Sequence, residues 1–381
     1  MSEAVTSLKL DLVFALVLSS LAFFPVLQVA RGLGGGYSDE AYYIASGSQY
    51  VRCLPPIYSN PEHPPLAKYI IGLSSLADPR IAPAIAGFVS VLVASLTVLK
   101  IRGDMLVAVL TSLVLASEVA FVKTFGYALL DSVAVVFASA ATYLSLRGGG
   151  RVLSGALWGA ALASKLSTAY PFAGVIVLRL SERGFRDVLV EVSSAAAVYA
   201  ASFVGDLACP GGGLGVFLQH LLLVPSYMLS THSLTIYKAV HGLLIALLKV
   251  DMWRSANPVT ITLTPGTNAS IQLPASPSGI EVEVYPWLSG FLLPTSVALI
   301  TYAALRFRSL SREGRAVALL TAISYINVLH GPIFWYLTLP TYYLAILAGT
   351  LLSRKTLTAL AVANVVSLGI VYLSADFLPA L

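Results

Sequence analysis

Eighteen consecutive residues, Ala82–Leu99 (APAIAGFVSVLVASLTVL), carry no charged side chain and are followed by Lys100 and Arg102. A helix of that length rises about 27 Å, close to the roughly 30 Å of hydrocarbon in a bilayer. Basic residues are enriched just beyond the cytoplasmic ends of membrane spans. The stretch is therefore typical of a transmembrane helix.

Similar apolar stretches recur along all 381 residues. Hydrophobic side chains make up 57% and charged ones only 11%, against roughly 25% charged in soluble domains. An ordinary soluble fold and, with a net charge of only +5, a disordered polyelectrolyte are excluded. We predict an all-α polytopic membrane protein with about eleven transmembrane helices, at about 10–31, 82–99, 105–122, 127–146, 152–164, 168–180, 187–205, 287–305, 316–329, 333–352 and 356–374.

The basic residues set the orientation of these spans. With Met1 in the cytoplasm, 14 of the 23 Lys and Arg side chains fall inside, as short cytoplasmic loops prefer. They face anionic membrane lipid, so we expect no nucleic-acid partner. Most acidic residues outside the spans then lie on the external side. We predict a multi-pass protein that works at the outer face of the plasma membrane.

The spans divide the chain into three parts. Residues 1–205 form an N-terminal transmembrane module, which includes a first external loop at 32–81 with an interfacial helix. Residues 206–286 form an external segment, and residues 287–381 contribute the C-terminal transmembrane helices. Whether 213–250 forms interfacial helices or crosses the membrane is open.

The external segment also contains a strand pattern. Residues 259–264 alternate apolar and polar side chains, Pro265-Gly266 is a turn signal, and residues 280–284 alternate again. This pattern predicts a small external β-hairpin.

Cys53 and Cys209 are the only two cysteines, and both fall on the external side of the predicted topology. A disulfide between the two external segments and a pair of free thiols are both compatible with this placement.

Charged groups at or inside a bilayer are costly, so those that gather at one membrane face are functional candidates. Several lie at the predicted outer face: Asp39, Glu40, His63, Lys68, Lys123, Asp131, Lys165 and His330. Each also has a structural explanation. Asp39 and Glu40 would stabilise the first turn of a helix, Asp131 would pair with Lys123, and Lys165 would extend to the interface.

Three short motifs distinguish between these explanations. Asp39-Glu40 follows the first span, Asn60–Lys68 reads NPEHPPLAK, and Leu129–Ser132 reads LLDS at the start of a later span. Together they resemble the protein O-mannosyltransferases, the dolichyl-phosphate-mannose-protein mannosyltransferases of the GT-C superfamily. His330–Tyr336 (HGPIFWY) is similar to a late region of the related lipid-A aminoarabinose transferases.

Some positions depart from that resemblance. Ala67 stands where the family commonly has Gly, and Lys123 is the nearest basic residue where an Arg usually precedes the LLDS stretch. Residues 206–286 are too few for the large β-trefoil insertion of the eukaryotic members.

The resemblance implies a GT-C-like fold and a membrane glycosyltransferase. Such an enzyme moves mannose or another hexose from a polyprenyl- or dolichyl-phosphate donor to a hydroxyl of a protein, lipid or glycan acceptor, by a single inverting displacement. It further implies that Asp39 is the catalytic base and that Glu40 orients Asp39 or the sugar. The donor phosphate and sugar would be bound by the remaining candidates, His63, Lys68, Lys123, Asp131, Lys165 and His330.

Cofactor needs follow from the donor. A lipid monophosphate can be neutralised by basic side chains, so no metal is required. A divalent metal on Asp39, Glu40, His63 and Asp131 is the minor alternative. The competing class is a polytopic transporter or lipid flippase with an external-face charged site, although no mirrored second half is visible in the sequence.

Overall fold

The structure is a computed structural model that describes residues 15–32, 38–148, 150–182, 184–231, 250–254, 260–263, 269–272, 280–284, 291–330 and 337–377. Residues 15–21 are helical, and the helices that follow are α1 (Phe23–Gly32), α2 (Ser38–Val51), α3 (Leu66–Ser74), α4 (Ile81–Arg102), α5 (Met105–Ala116), α6 (Val119–Phe125), α7 (Leu130–Arg147), α8 (Arg151–Ser164), α9 (Ala169–Glu182), α10 (Phe185–Ala201), α11 (Val204–Ala208), α12 (Leu214–Thr231), α13 (Ser296–Leu305), α14 (Arg312–Ser324), α15 (Thr338–Leu351) and α16 (Arg354–Phe377). Short 3₁₀ helices lie at Pro56–Tyr58, Leu166–Thr168, Phe307–Ser309 and Tyr325–His330.

Two helices of the described chain, α4 and α7, are long and apolar enough to cross a membrane. The stretch 82–99 lies inside α4, and most of 127–146 lies inside α7. Shorter apolar helices, among them α5, α12 and α13, fall below the length of a full span. The total of about eleven spans therefore stays a prediction.

The segment predicted as a single span at 105–122 is broken, which corrects that prediction. Helix α5 ends at Ala116, and α6 starts at Val119. Ser117 Oγ donates to the carbonyl oxygens of Leu113 and Val114, and such local bonds compete with helix continuation. The intervening Glu118 is fully buried, and its Oε2 accepts from the Leu292 backbone N–H at 3.2 Å.

The two short spans predicted at 152–164 and 168–180 correspond to two separate helices, α8 and α9. Lys165 separates them in an extended conformation, with φ −155° and ψ 125°. One 3₁₀ turn follows before α9 begins. The break therefore places Lys165 between the last residue of α8 and the 3₁₀ turn that leads into α9.

Four strands form one sheet in the order β1-β4-β2-β3, with β1 at Val250–Arg254, β2 at Thr260–Leu263, β3 at Ala269–Gln272 and β4 at Ile280–Val284. The predicted hairpin between 259–264 and 280–284 is not formed, since β2 and β4 are neighbours but run parallel, with Ile261 opposite Val282. The antiparallel partner of β2 is β3. Parallel strands cannot be joined by a tight turn, so β2 and β4 do not form a hairpin.

Helix α15 forms the centre of the bundle, and its residues 338–349 are all buried. It packs on α4, α5 and α14. Its polar groups are paired inside the core: Thr142 and Tyr343 share a hydrogen bond of 2.9 Å, and Thr124 and Thr338 share one of 2.7 Å. Buried hydroxyl groups need such partners, so these contacts fix the rotation of α15 against α6 and α7.

A buried charge pair joins the far ends of four helices. Arg179 of α9 contacts Glu191 of α10 at 3.2 Å and donates to the Ser145 carbonyl of α7 at 3.0 Å. Ser154 of α8 donates to the same Glu191 carboxylate at 2.6 Å. Asp131 lies in the first turn of α7 and Arg147 in its last, so this cluster is separated from Asp131 by most of that helix.

Helices α2 and α3 are in direct backbone contact through two glycines. A Cβ atom at Gly72 would lie 2.1 Å from the Gly47 carbonyl oxygen, and one at Gly47 would lie 2.2 Å from the Lys68 carbonyl oxygen. No side chain fits there, so the two glycines set the distance between the two helices.

We expect Gly72→Ala to lower the free energy of unfolding by roughly 1–3 kcal/mol, the usual cost of overpacking. Gly215→Ala is the matched control, because nothing lies within 4 Å of its Cβ position. Denaturation of both variants in detergent micelles measures the effect. Equal stability of the two variants would contradict the close α2–α3 contact.

Candidate active site

The adjacent carboxylates Asp39 and Glu40 lie in the first turn of α2 and point in different directions. Successive side chains on an α-helix are about 100° apart, so two neighbours cannot share one face. Asp39 lines a cavity of about 780 Å³, whereas Glu40 is 5% exposed and contacts other helices.

Glu40 connects three elements. Both of its oxygens accept from Arg80, at 2.7 Å each, in a bidentate pair. Its Oε1 also accepts from the Ala128 backbone N–H at 2.8 Å. The Arg80 guanidinium lies 5.1 Å from the centre of the Tyr127 ring. Because Arg80 precedes α4 and Ala128 precedes α7, Glu40 fixes the start of α7 relative to α2.

Asp131 lies in the first turn of α7, shortly after Ala128, whose N–H donates to Glu40. Its Oδ2 accepts from Lys165 Nζ at 3.0 Å, and both side chains are less than 10% exposed. Asp39 is close enough to interact electrostatically with Asp131. Lys165 itself lines the same cavity as Asp39. The first and third sequence motifs therefore meet at one site.

The second motif forms the loop that closes one wall of the cavity. Lys68 is fully buried, and its ammonium donates to the Asn60 carbonyl, to Asn60 Oδ1 at 3.1 Å and to the His63 carbonyl at 2.9 Å. Burial lowers the pKa of Lys68 to about 7, against the opposing effect of the Glu62 and Asp206 carboxylates. Protonation of Lys68, and with it the third hydrogen bond to the loop, therefore depends on pH near neutrality.

The cavity combines charge with aromatic surface. Its ionisable groups outside the tyrosines are Asp39, Glu62, His63 and Lys165. Four tyrosines line it as well: Tyr42, Tyr43, Tyr58 and Tyr227. The ring centres of His63 and Tyr43 lie 5.9 Å apart in an edge-on arrangement. A cavity with acidic, basic and aromatic surfaces can bind a polar substrate and polarise it.

The predicted site residues thus fall into two groups. Asp39, His63 and Lys165 line the cavity, and Asp131 contacts it through Lys165. Glu40, Lys68 and Lys123 are buried and are not among the described lining residues. The side chain of His330 and all of residues 331–336 lie outside the described residues.

Two structural features of the site were missed or left open by the sequence. Cys53 and Cys209 form a disulfide, with their Cα atoms 5.2 Å apart. Asp206 and His220, which no motif singled out, form a fully buried pair with Oδ2 and Nδ1 2.6 Å apart. The sequence did contain a sign of this pair, because Asp206 and His220 stand among largely apolar residues.

In the part of the chain that the structure describes, no three His, Cys, Asp or Glu side chains come together in a metal-binding group. Of the four residues considered as metal ligands, Glu40 has both carboxylate oxygens engaged by Arg80 and Ala128. The Asp131 carboxylate is engaged by Lys165.

The helical architecture of the chain is similar to that of a protein of known structure, ArnT. The chain superimposes on ArnT from Cupriavidus metallidurans, in its crystal structure bound to undecaprenyl phosphate, with a TM-score of 0.60 and 15% identity over 94% of this chain and 63% of ArnT. For the apo state of the same protein the TM-score is 0.54, with 15% identity over 89% of this chain and 61% of ArnT. At this identity the likeness concerns the fold, and the chain spans less than two thirds of the length of ArnT.

Residues 75–180 match the sequence model of the family described as Dolichyl-phosphate-mannose-protein mannosyltransferase. The matched part includes Lys123, Asp131 and Lys165. No curated protein sequence matches the chain. The family match and the structural likeness confirm the resemblance that the three motifs predict.

The Asp131–Lys165 pair yields a test. We expect Lys165→Met to lower the free energy of unfolding by about 3–5 kcal/mol, because a buried carboxylate loses its cation. The double variant Asp131→Asn/Lys165→Met should regain much of that loss. Arg354→Met, which breaks the exposed pair with Asp104, is the control and should change stability little. Chemical denaturation measures all three, and a double variant as unstable as Lys165→Met would contradict the pairing.

Proposed function

We propose that the protein is a membrane glycosyltransferase that moves a sugar from a polyprenyl-phosphate donor to an acceptor hydroxyl. The observation that carries this proposal is the shared cavity of Asp39 and Lys165, a carboxylate and an ammonium on one polar surface. Transfer from a lipid phosphate needs a base on the acceptor side and positive charge on the leaving-group side.

Asp39 takes the role of base. Its neighbour Glu40 is held by Arg80 and Ala128, so Asp39 is the member of the pair that opens onto the cavity. In the proposed step the acceptor hydroxyl gives its proton to Asp39 while its oxygen forms a bond to the anomeric carbon. The bond from that carbon to the phosphate oxygen breaks, and the lipid phosphate leaves with the electron pair. A single displacement of this kind inverts the anomeric carbon.

Lys165 takes the role of phosphate-binding cation. An ammonium contributes strong, charge-assisted hydrogen bonds to a phosphate monoester. Asp131 holds the Lys165 side chain at the cavity wall through the hydrogen bond between Lys165 Nζ and Asp131 Oδ2. His63, in the loop that also lines the cavity, provides a second group for the phosphate or the sugar.

An apolar groove beside the cavity supports a lipid-linked donor. It has a volume of about 300 Å³ and lies between α8, α9, α10 and α12, with Leu166, Phe172, Ala196 and Pro225 among its lining residues. Leu166 directly follows Lys165, and Pro225 lies on the same helix as the cavity residue Tyr227. A polar cavity next to an apolar groove suits an amphiphile with a charged head and a hydrocarbon chain.

The sugar and the acceptor are proposed more broadly. The family match of residues 75–180 supports mannose or another hexose. A protein, lipid or glycan hydroxyl would serve as acceptor. The Cys53–Cys209 disulfide supports a site on the external side of the membrane, with the N-terminus cytoplasmic, because disulfides persist in oxidising compartments.

Transfer itself is the direct test. Membranes that contain the protein are incubated with radiolabelled polyprenyl-phosphate mannose or glucose, and the labelled fraction is identified. Asp39→Asn should lower the transfer rate by roughly 10²–10⁴-fold, the usual contribution of a general base. The control is Asp78→Asn, an exposed carboxylate at the same end of the bundle. Near-normal transfer by folded Asp39→Asn would reject the base assignment. No transfer by the wild type would favour the transport alternative.

The groove gives a second prediction. Ala196→Phe places a ring in the apolar groove and should raise the KM for a long-chain donor, with much less effect on a donor whose lipid is cut to one or two isoprene units. Ala197→Phe is the matched control, because Ala197 is exposed on the same helix and does not line the groove. Steady-state kinetics with the two donors measure the difference. Equal KM values for Ala196→Phe and Ala197→Phe would contradict binding of the donor lipid in this groove.

A further inference from the structure

One wall of the cavity is an irregular loop, and a buried pair outside the cavity holds it. After the 3₁₀ helix Pro56–Tyr58, the cavity residues Asn60 to His63 have no regular helix or strand. Helices α11 and α12 pack against the 3₁₀ helix at the base of this loop. Asp206 of α11 and His220 of α12 are both 0% exposed.

The pair contacts the loop at two backbone positions. Asp206 Oδ1 accepts from the Ile57 N–H at 2.8 Å, and Asp206 Oδ2 lies 2.6 Å from His220 Nδ1. On the other side of the imidazole, Nε2 lies 3.0 Å from the Pro61 carbonyl oxygen. A carbonyl oxygen can only accept, so Nε2 carries a hydrogen and donates it to Pro61.

A hydrogen bond to the Pro61 carbonyl restricts the backbone of the residues that follow it. Its carbonyl belongs to the same rigid peptide plane as the N–H of Glu62. A bond to that carbonyl therefore fixes the direction in which the chain leaves towards Glu62 and His63, which both line the cavity. Proline has no N–H of its own, so the carbonyl is its only backbone group for hydrogen bonding.

Stability alone does not account for this pair. Removing two polar groups from water is costly, and pairing them does not always make them more stabilising than apolar residues of the same volume. The His220 ring also packs edge-on against Phe203, with 4.9 Å between ring centres, a contact that a phenyl ring would preserve. What a phenyl ring cannot supply is the hydrogen bond to Pro61.

We propose that Asp206 and His220 are positioning residues for the sugar-transfer site, which hold the Pro61 carbonyl and thereby aim Glu62 and His63 into the cavity. The proposal rests on the function proposed above. Neither residue lines the cavity in the described chain, so both act through the loop.

Two substitutions at one position test it. His220→Phe keeps the ring volume and removes both polar contacts, whereas His220→Gln keeps an N–H donor at about the position of Nε2. Both lose the contact with Asp206, so a purely structural role would affect the two variants alike. We expect His220→Phe to lower kcat by roughly 10- to 100-fold, in the range of a small misplacement of reacting groups. The donor KM should change far less, and His220→Gln should recover most of the kcat. The proposal is overturned by an equal loss in both variants, or by no loss in either.

A readout without turnover separates this proposal from the proposed function. Amide hydrogen exchange of Ile57, Glu62 and His63 should be faster in His220→Phe than in the wild type, and close to wild type at Glu62 and His63 in His220→Gln. Identical exchange in all three proteins would overturn the positioning role even if the wild type transferred no sugar. The Cys53→Ser/Cys209→Ser variant, which removes only the covalent link, serves as control and should keep normal exchange at Glu62 and His63. Loosened exchange there would assign the positioning to the disulfide and overturn the proposal.

Discussion

Buried charged and polar side chains need partners, and three side-chain pairs define one end of this protein. Glu40 pairs with Arg80, Asp131 with Lys165, and Asp206 with His220. Glu40–Arg80 and Asp131–Lys165 each join two different helical segments, and Asp206–His220 holds the distant loop at Ile57 and Pro61. In a bundle of largely apolar helices these contacts have direction, whereas apolar packing has little, so they decide how the walls of the cavity face one another.

Chemically similar residues have different roles around the cavity. Asp39 and Glu40 are chemically similar, but the rotation of α2 sends one to the cavity and the other to Arg80 and the start of α7. The two lysines differ in the same way: Lys165 lines the cavity, whereas Lys68 donates hydrogen bonds to the loop carbonyls of Asn60 and His63. Residues that hold the site are therefore as specific in type as those that face the substrate.

The arrangement supports the proposed lipid-linked donor. A polar cavity with a carboxylate and an ammonium adjoins a groove with an apolar lining, and Lys165-Leu166 lies at their junction. The break between α8 and α9 creates this junction, because Lys165 pairs with Asp131 whereas the next residue, Leu166, lines the apolar groove. The disulfide and the Asp206–His220 pair attach the segment after α10 to the loop between α2 and α3, which also lines the cavity.

The sequence by itself determined the helical class, the resemblance to GT-C enzymes and most of the cavity motifs, because apolar stretches and short motifs are local features. The break at Ser117-Glu118 and the parallel pairing of β2 with β4 were decided by tertiary structure, since buried carboxylates and strand neighbours depend on distant residues. The same holds for the separate roles of Asp39 and Glu40 and for the partner of Asp131. Sequence shows that a charge must be paired, but only the packed helices decide which opposite charge is within reach.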